Sequence, residues 1–198
     1  MRKKINFHLK PFFVHCLTLL IMLASSFVNA DKEVSFTSEL AADKTYALID
    51  TSMGRIEFEL YAKRTPKTVE NFIEYAESGF YADTLFHRVI PNFMVQGGGF
   101  NKSFIQKASR KPVRNEANAF IPNLRGTISM ARTSDPDSAT SQFFIFGKVI
   151  KGLDVADKIS KVKTKREGHM ADVPVEPVIL NKVIIKRPEK TKPEAVSP

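Results

Sequence analysis

The chain has 198 residues, 43% of them hydrophobic and 10% aromatic, and a net charge of +9. That suits a single domain with one core, and the charge excess is far from that of a nucleic-acid binder. One cysteine, Cys16, excludes a disulfide framework.

The first thirty residues read as a secretory signal peptide. Arg2, Lys3, Lys4 and Lys10 make a positive start, residues 12–28 are largely apolar, and Val28-Asn29-Ala30 ends in a small residue, which predicts cleavage between Ala30 and Asp31. The rival is an uncleaved membrane anchor, because the apolar run approaches spanning length. Ser25, Ser26 and Asn29 near its end favour cleavage. Cleavage removes those four basic residues and Cys16, leaving a chain of charge +5 without a thiol. No later segment is apolar enough to span a bilayer, so no membrane contact is expected after cleavage.

Residues 31–44 form a polar lead to a domain expected over 45–187. TYALIDT and RIEFELY alternate apolar and polar residues about Ser52-Met53-Gly54, a β-hairpin pattern. Thr65-Pro66 reads as an N-cap with proline at the first helical position, and Val69, Phe72, Ile73 and Ala76 then recur at helical spacing until Gly79. Residues 86–100, FHRVIPNFMVQGGGF, supply two strands, and 101–114 a basic exposed loop. Residues 125–131 and 141–150 are strand-like, 153–162 amphipathic and helical, and 178–186 a closing strand; 188–198, rich in Pro, Lys and Glu, read as a disordered tail. Many short strands with two helices predict a mostly β barrel or sandwich whose ends the helices cover.

Residues 86–100 hold the chemistry. Arg88, charged at every accessible pH, stands among Phe86, Val89, Ile90, Phe93, Met94 and Val95, so it is paired or faces a wet cleft. Gln96 follows eight positions later, and Gly97, Gly98 and Gly99 permit positive φ and close backbone approach. His87 reads as a buried, hydrogen-bonded residue rather than a base. The glycines lack the Lys-Ser/Thr of a phosphate loop, and no carboxylate pair, serine triad or zinc-ligand set is evident.

Extended back to Tyr81, the segment YADTLFHRVIPNFMVQGG resembles the signature of the cyclophilin-type peptidyl-prolyl cis-trans isomerases, and NEANAF (115–120), RGTISMAR (125–132) and SATSQFFI (138–145) resemble three further stretches of that family in order. The likeness covers roughly residues 45–185 and is nearest the bacterial periplasmic members. It implies a closed β-barrel with two capping helices and an isomerase acting on X-Pro bonds of unfolded or proline-containing polypeptides. Neither cofactor nor metal is implied, and a monomer is expected. By the same resemblance Arg88 is the catalytic donor, Phe93, Met94 and Phe144 line the proline pocket, and Gln96, Ala131, Arg132 and Gln142 hold the substrate. Arg132 stands where the family commonly has a small polar side chain.

One departure bears on function. Family members carry a segment between SQFFI and FGKV with an apolar residue and a histidine that complete the pocket; here Ile145 runs directly into Phe146. The barrel is therefore expected to be opened or one strand short, with residues 143–150 as one strand. Two functions follow: an isomerase of exported proteins, or a proline-peptide binding or folding-assistance module without turnover.

Overall fold

The alternation after position 45 builds a hairpin. Strands β1 (Thr45–Thr51) and β2 (Gly54–Leu60) pair antiparallel, from Thr45↔Leu60 to Thr51↔Gly54, about the turn Ser52-Met53. Thr51 closes it: its Oγ1 donates to the Gly54 carbonyl at 2.6 Å and accepts from the Met53 N–H at 3.1 Å. Ala47 and Ile49 of β1 and Ile56, Phe58 and Leu60 of β2 enter the core at the two-residue period of a strand. The computed structural model describes residues 43–118, 120–145 and 151–188. The expected signal peptide, nearly all of the polar lead and the tail beyond residue 188 lie outside them.

Helix α1 (Pro66–Glu77) begins as predicted, with Thr65 as N-cap and Pro66 at the first position, and buries Val69, Phe72, Ile73, Tyr75 and Ala76. What caps it differs from the expectation. The Thr65 side chain makes no cap hydrogen bond to the helix; its hydroxyl donates back to the Tyr61 carbonyl at 3.3 Å. The free N–H groups of Lys67 and Thr68 instead donate to the Glu116 carboxylate at 3.2 and 2.7 Å, joined by the Thr68 hydroxyl at 2.7 Å. A carboxylate there satisfies orphan donors and meets the positive end of the helix dipole. Burial pushes the Glu116 carboxyl up, but the hydrogen bonds from Thr68 and Lys67 outweigh it and hold it below its ordinary value.

Strands β3 (Thr84–Ile90), β4 (Met94–Asn101), β5 (Ile128–Met130) and β6 (Phe143–Ile145), helix α2 (Leu153–Ile159), and strands β7 (Thr164–Glu167), β8 (Met170–Pro174) and β9 (Ile179–Lys186) complete the described chain. Seven strands form one sheet in the order β2-β1-β9-β3-β4-β6-β5, curled into a nearly closed barrel, and β7 with β8 makes a separate hairpin. Its core combines Phe86, Val89, Val95, Phe143, Ile145, Leu180 and Val183 with the inner faces of both helices. Beyond β9, Arg187 meets both oxygens of Glu77 at 2.9 Å and ties the strand's end to α1.

Among the described residues the barrel has seven strands and is nearly closed, and the stretch after Ile145 on which the expected loss of a strand turns lies outside them. β2 and β5 are the barrel's end strands, and across the gap the described residues hold a single bridge, Glu57↔Lys151, to β2. Of the long strand expected over 143–150, Phe143–Ile145 is a strand and 146–150 lie outside the described residues. The strand expected at 125–131 shrinks to three residues, because Gly126 takes φ +106° in the turn before it. The helix expected to reach Val162 ends at Ile159. The β7–β8 hairpin was not expected, since TKRE and MADVP lack clear alternation. The basic loop 101–114 is exposed but tied down: Lys102 meets Asp83 at 2.7 Å, Lys107 donates to the Phe80 carbonyl, and Arg110 pairs with Glu74.

Replacing Glu116 by Ala is expected to lower unfolding free energy by about 1–2 kcal/mol, the scale of a lost helix cap. Urea denaturation of the two proteins measures it; an unchanged midpoint would mean water caps α1 equally well.

Candidate active site

A slip in the pairing of β3 with β4 aims the arginine. Phe86 pairs with Gly97 and Arg88 with Gln96, so two steps along β3 match one along β4, and His87 is the extra residue of a bulge. In a regular strand Phe86 and Arg88 would share a face. Across the bulge Phe86 lies in the core and Arg88 is exposed.

The register carries the line onward. Gln96 pairs with Phe144 on β6, and Phe144 with Ser129 on β5, so Arg88, Gln96, Phe144 and Ser129 form one row across four strands. Gln96 donates through Nε2 to Gln142 Oε1 at 2.9 Å, and the Gln142 carbonyl accepts the Ala131 N–H at 2.8 Å. Gly99 makes room for this: a Cβ there would stand 2.5 Å from Gln142 Cγ. Gly98 adopts φ +81°, and a Cβ on it would meet the Phe143 and Tyr81 rings below 3 Å. The expected positive φ and close approach are both present.

Phe93 follows the β3–β4 turn, where Asn92 takes φ +61°, and is 61% exposed. Met94 pairs with Ile90 and is buried outside the main core cluster. Ala131 is buried beside Gln142, whereas the Arg132 guanidinium serves its own loop, donating from Nη1 to the Thr133 carbonyl at 2.8 Å. The structure therefore brings Arg88, Gln96, Gln142, Phe144 and Ala131 together and sets Phe93 and Met94 at the turn end of the same strands.

Tyr81, buried, and Asn71, half-buried, hold the backbone that leads into β6. The Tyr81 hydroxyl donates to the Ser141 carbonyl at 2.9 Å, and Asn71 Nδ2 to the Thr140 carbonyl at 2.7 Å. The Tyr81 ring packs edge-on against Phe143, with centroids 5.5 Å apart. Burial pushes the Tyr81 phenol well above its ordinary value, so it stays a donor. Two residues escaped the sequence reading. Ser129 ends the row, and its membership follows only from register. Asp172 on β8 places Oδ2 3.5 Å from Arg88 Nε, with no motif to mark it.

His87 is buried, as expected, at 6% exposure, but its Nδ1 has no hydrogen-bond partner. Burial lowers its pKa to about 4, against the Leu85 backbone, which raises it, and with the Arg88 charge, which lowers it further. A group this depressed is no base at neutral pH.

Residues 46–185 match the family model described as cyclophilin type peptidyl-prolyl cis-trans isomerase/CLD. Peptidyl-prolyl cis-trans isomerase A of Dickeya dadantii is 50% identical over 167 residues, covering 74% of this chain and 88% of the relative. Peptidyl-prolyl cis-trans isomerase B of Escherichia coli is 43% identical over 157 residues, covering 68% and 96%. A crystal structure of a cyclophilin type isomerase from Cryptosporidium parvum, determined in the presence of the dipeptide Ala-Pro, superposes with a TM-score of 0.63 at 27% identity, covering 71% of this chain and 98% of that one. The lengths carry further information. The 167 residues matched in the Dickeya protein fall on 74% of 198 residues, about 147, so about 20 residues of the relative have no counterpart here. The junction of Ile145 with Phe146 is where the sequence puts that loss.

The folded chain takes up the His87 proton near pH 4 and the unfolded chain near 6.5. Between those values the unfolded state binds more protons, so stability falls as pH is lowered from 6.5 towards 4. The expected loss is about 3 kcal/mol, and His87→Gln is expected to flatten it. Urea titrations of both proteins at pH 7 and pH 4.5 check this; equal acid losses would clear His87 of the effect.

Proposed function

This chain belongs to the cyclophilin-type peptidyl-prolyl cis-trans isomerases, and from that membership we propose that it accelerates X-Pro isomerisation in exported polypeptides during their folding. Rotation about the peptide bond costs about 18–20 kcal/mol, and at X-Pro both isomers are populated, so exchange is slow enough to limit folding. Twisting removes amide resonance and gathers a lone pair on the prolyl nitrogen. A cation aimed at that nitrogen binds the twisted state more strongly than the planar one and so lowers the barrier.

Arg88 takes that part. The observation that carries this assignment is the row Arg88–Gln96–Phe144, which sets a charged donor, an amide and an aromatic ring side by side across β3, β4 and β6. Gln96, held by Gln142, and the backbone at Ala131 and Arg132 bind the substrate carbonyl. Phe144, Phe93 and Met94 receive the proline ring and exclude water, which strengthens the electrostatics that remain. A charge-assisted hydrogen bond of about 1.5–3 kcal/mol amounts to about ten- to a hundredfold in rate, so orientation and desolvation supply the rest.

Exposure of Phe93 and the missing residues favour a second function, a proline-peptide binding or folding-assistance module without turnover. Catalysis and binding part company at Arg88. In a cis/trans exchange assay on an X-Pro peptide, Arg88→Ala is expected to lower kcat/KM about ten- to a hundredfold with an unchanged thermal midpoint. A folded parent that fails to accelerate exchange leaves the binding function standing.

Export rests on the positive start, apolar run and Val28-Asn29-Ala30 of the leader. Expressed with its leader in a Gram-negative host, the protein is expected in the periplasm with Asp31 as its first residue. Fractionation and N-terminal sequencing test this; an intact leader in the membrane fraction would establish the anchor instead.

A further inference from the structure

We propose that Asp172 is a positioning residue for Arg88, holding the guanidinium by its Nε side so that the terminal nitrogens face the substrate. This rests on the role given above to Arg88 and adds to it a residue from outside the barrel strands that carry the row.

Two irregularities meet at this pair. On β3 the bulge at His87 turns Arg88 outward. On β8, Lys165↔Val173 is followed by Glu167↔Met170, so two steps along β7 match three along β8, and the extra residue falls at Ala171-Asp172. Asp172 there takes φ +60°, a left-handed conformation that glycine adopts freely and aspartate tolerates at a cost. The β7–β8 hairpin lies against β3, and its bulge brings Asp172 Oδ2 to 3.5 Å from Arg88 Nε, the one ion pair of Arg88 among the described residues. Each strand departs from regular pairing where it delivers its member of the pair.

The pair does little for stability. Both side chains are about two-fifths exposed, at 44% and 39%, and exposed pairs contribute little to folding. Its effect falls on orientation. A long flexible guanidinium wanders unless something fixes its stem, and catalysis by a donor depends on its pointing at the prolyl nitrogen when the bond twists. A carboxylate at the Nε side restricts the rotamers and leaves both terminal nitrogens to donate.

Two variants separate this from a structural role. Asp172→Asn keeps the shape and tolerates positive φ; Asp172→Gly suits the backbone better than aspartate does and lacks any side chain. Both are expected to keep the parent's thermal midpoint or raise it, to lower kcat about three- to tenfold, and to leave KM within about twofold. In an Arg88→Ala background, Asp172→Asn is expected to cause no further loss, because nothing remains to be positioned. The same X-Pro assay on the full mature chain, with melting curves for every variant, reads all of these. If Arg88→Ala is impaired while both Asp172 variants turn over like the parent, Asp172 positions nothing and the proposal is overturned. A further loss in the double variant overturns it too, by showing that Asp172 acts elsewhere. Should one variant fail to fold, the other decides. If Arg88→Ala itself turns over like the parent, the role of Arg88 has failed first, a different and distinguishable result.

Discussion

Between Phe86 and Arg88 the ladder joining β3 to β4 slips by one residue, and the rest of the site depends on that slip. An unbroken strand would face both side chains the same way, leaving either an arginine in the core or a phenylalanine in water. A bulge resolves the conflict by adding His87, which is buried beside Phe100 with ring centroids 4.6 Å apart. Its Nδ1 is left without a partner. The arrangement therefore carries a cost, a neutral imidazole in a site that lowers its pKa, in return for an outward cation on a strand whose other face builds the core.

Once Arg88 is turned out, antiparallel register places its neighbours without further devices. Gln96 and Phe144 fall into line because β4 and β6 pair regularly at those positions, and Gln142 is fixed by Gln96 on one side and Ala131 on the other. The glycines act beneath the row as space for other side chains: Gly98 for Phe143 and Tyr81, Gly99 for Gln142. Tyr81, sixty residues before Ser141, pins the approach to β6 from inside the protein. Rigidity thus comes from the core side and chemistry is presented on the other, the division a site built on strands permits.

Much of this was legible in the sequence because it is written in local pattern. Alternation found β1 and β2, helical spacing found the buried face of α1, and the mixture of one arginine with aromatics and glycines found the site strands. What could not be read depends on partners distant in the chain. Thr65 carries an N-cap's chemistry, yet Glu116 does the capping from about fifty residues away. The bulge at His87 is invisible without the partner strand, since parity along one strand sets Arg88 with Phe86 and only the ladder parts them. Asp172 lies in a hairpin of weak alternation, and its approach to Arg88 arises from tertiary placement. The resemblance implied roles for Arg88, Gln96 and Phe144; it offered nothing for Ser129 or Asp172.

The described strands support the members of the site unequally. In the sheet order β3-β4-β6-β5 the end strand among the described residues is β5, three residues long and paired there only to β6. Edge strands fray first because half their backbone groups lack a ladder. Ala131 follows directly after β5, and Phe144 lies one strand in; Arg88 is three strands away, against β4 on one side and joined at the start of its strand to β9 on the other. Loosening at that edge would therefore reach Ala131 and Phe144 well before it disturbs Arg88. Arg88 and Gln96 thus stand on the strands best held by their neighbours, away from the place where the sequence puts the loss of about twenty residues relative to the Dickeya protein.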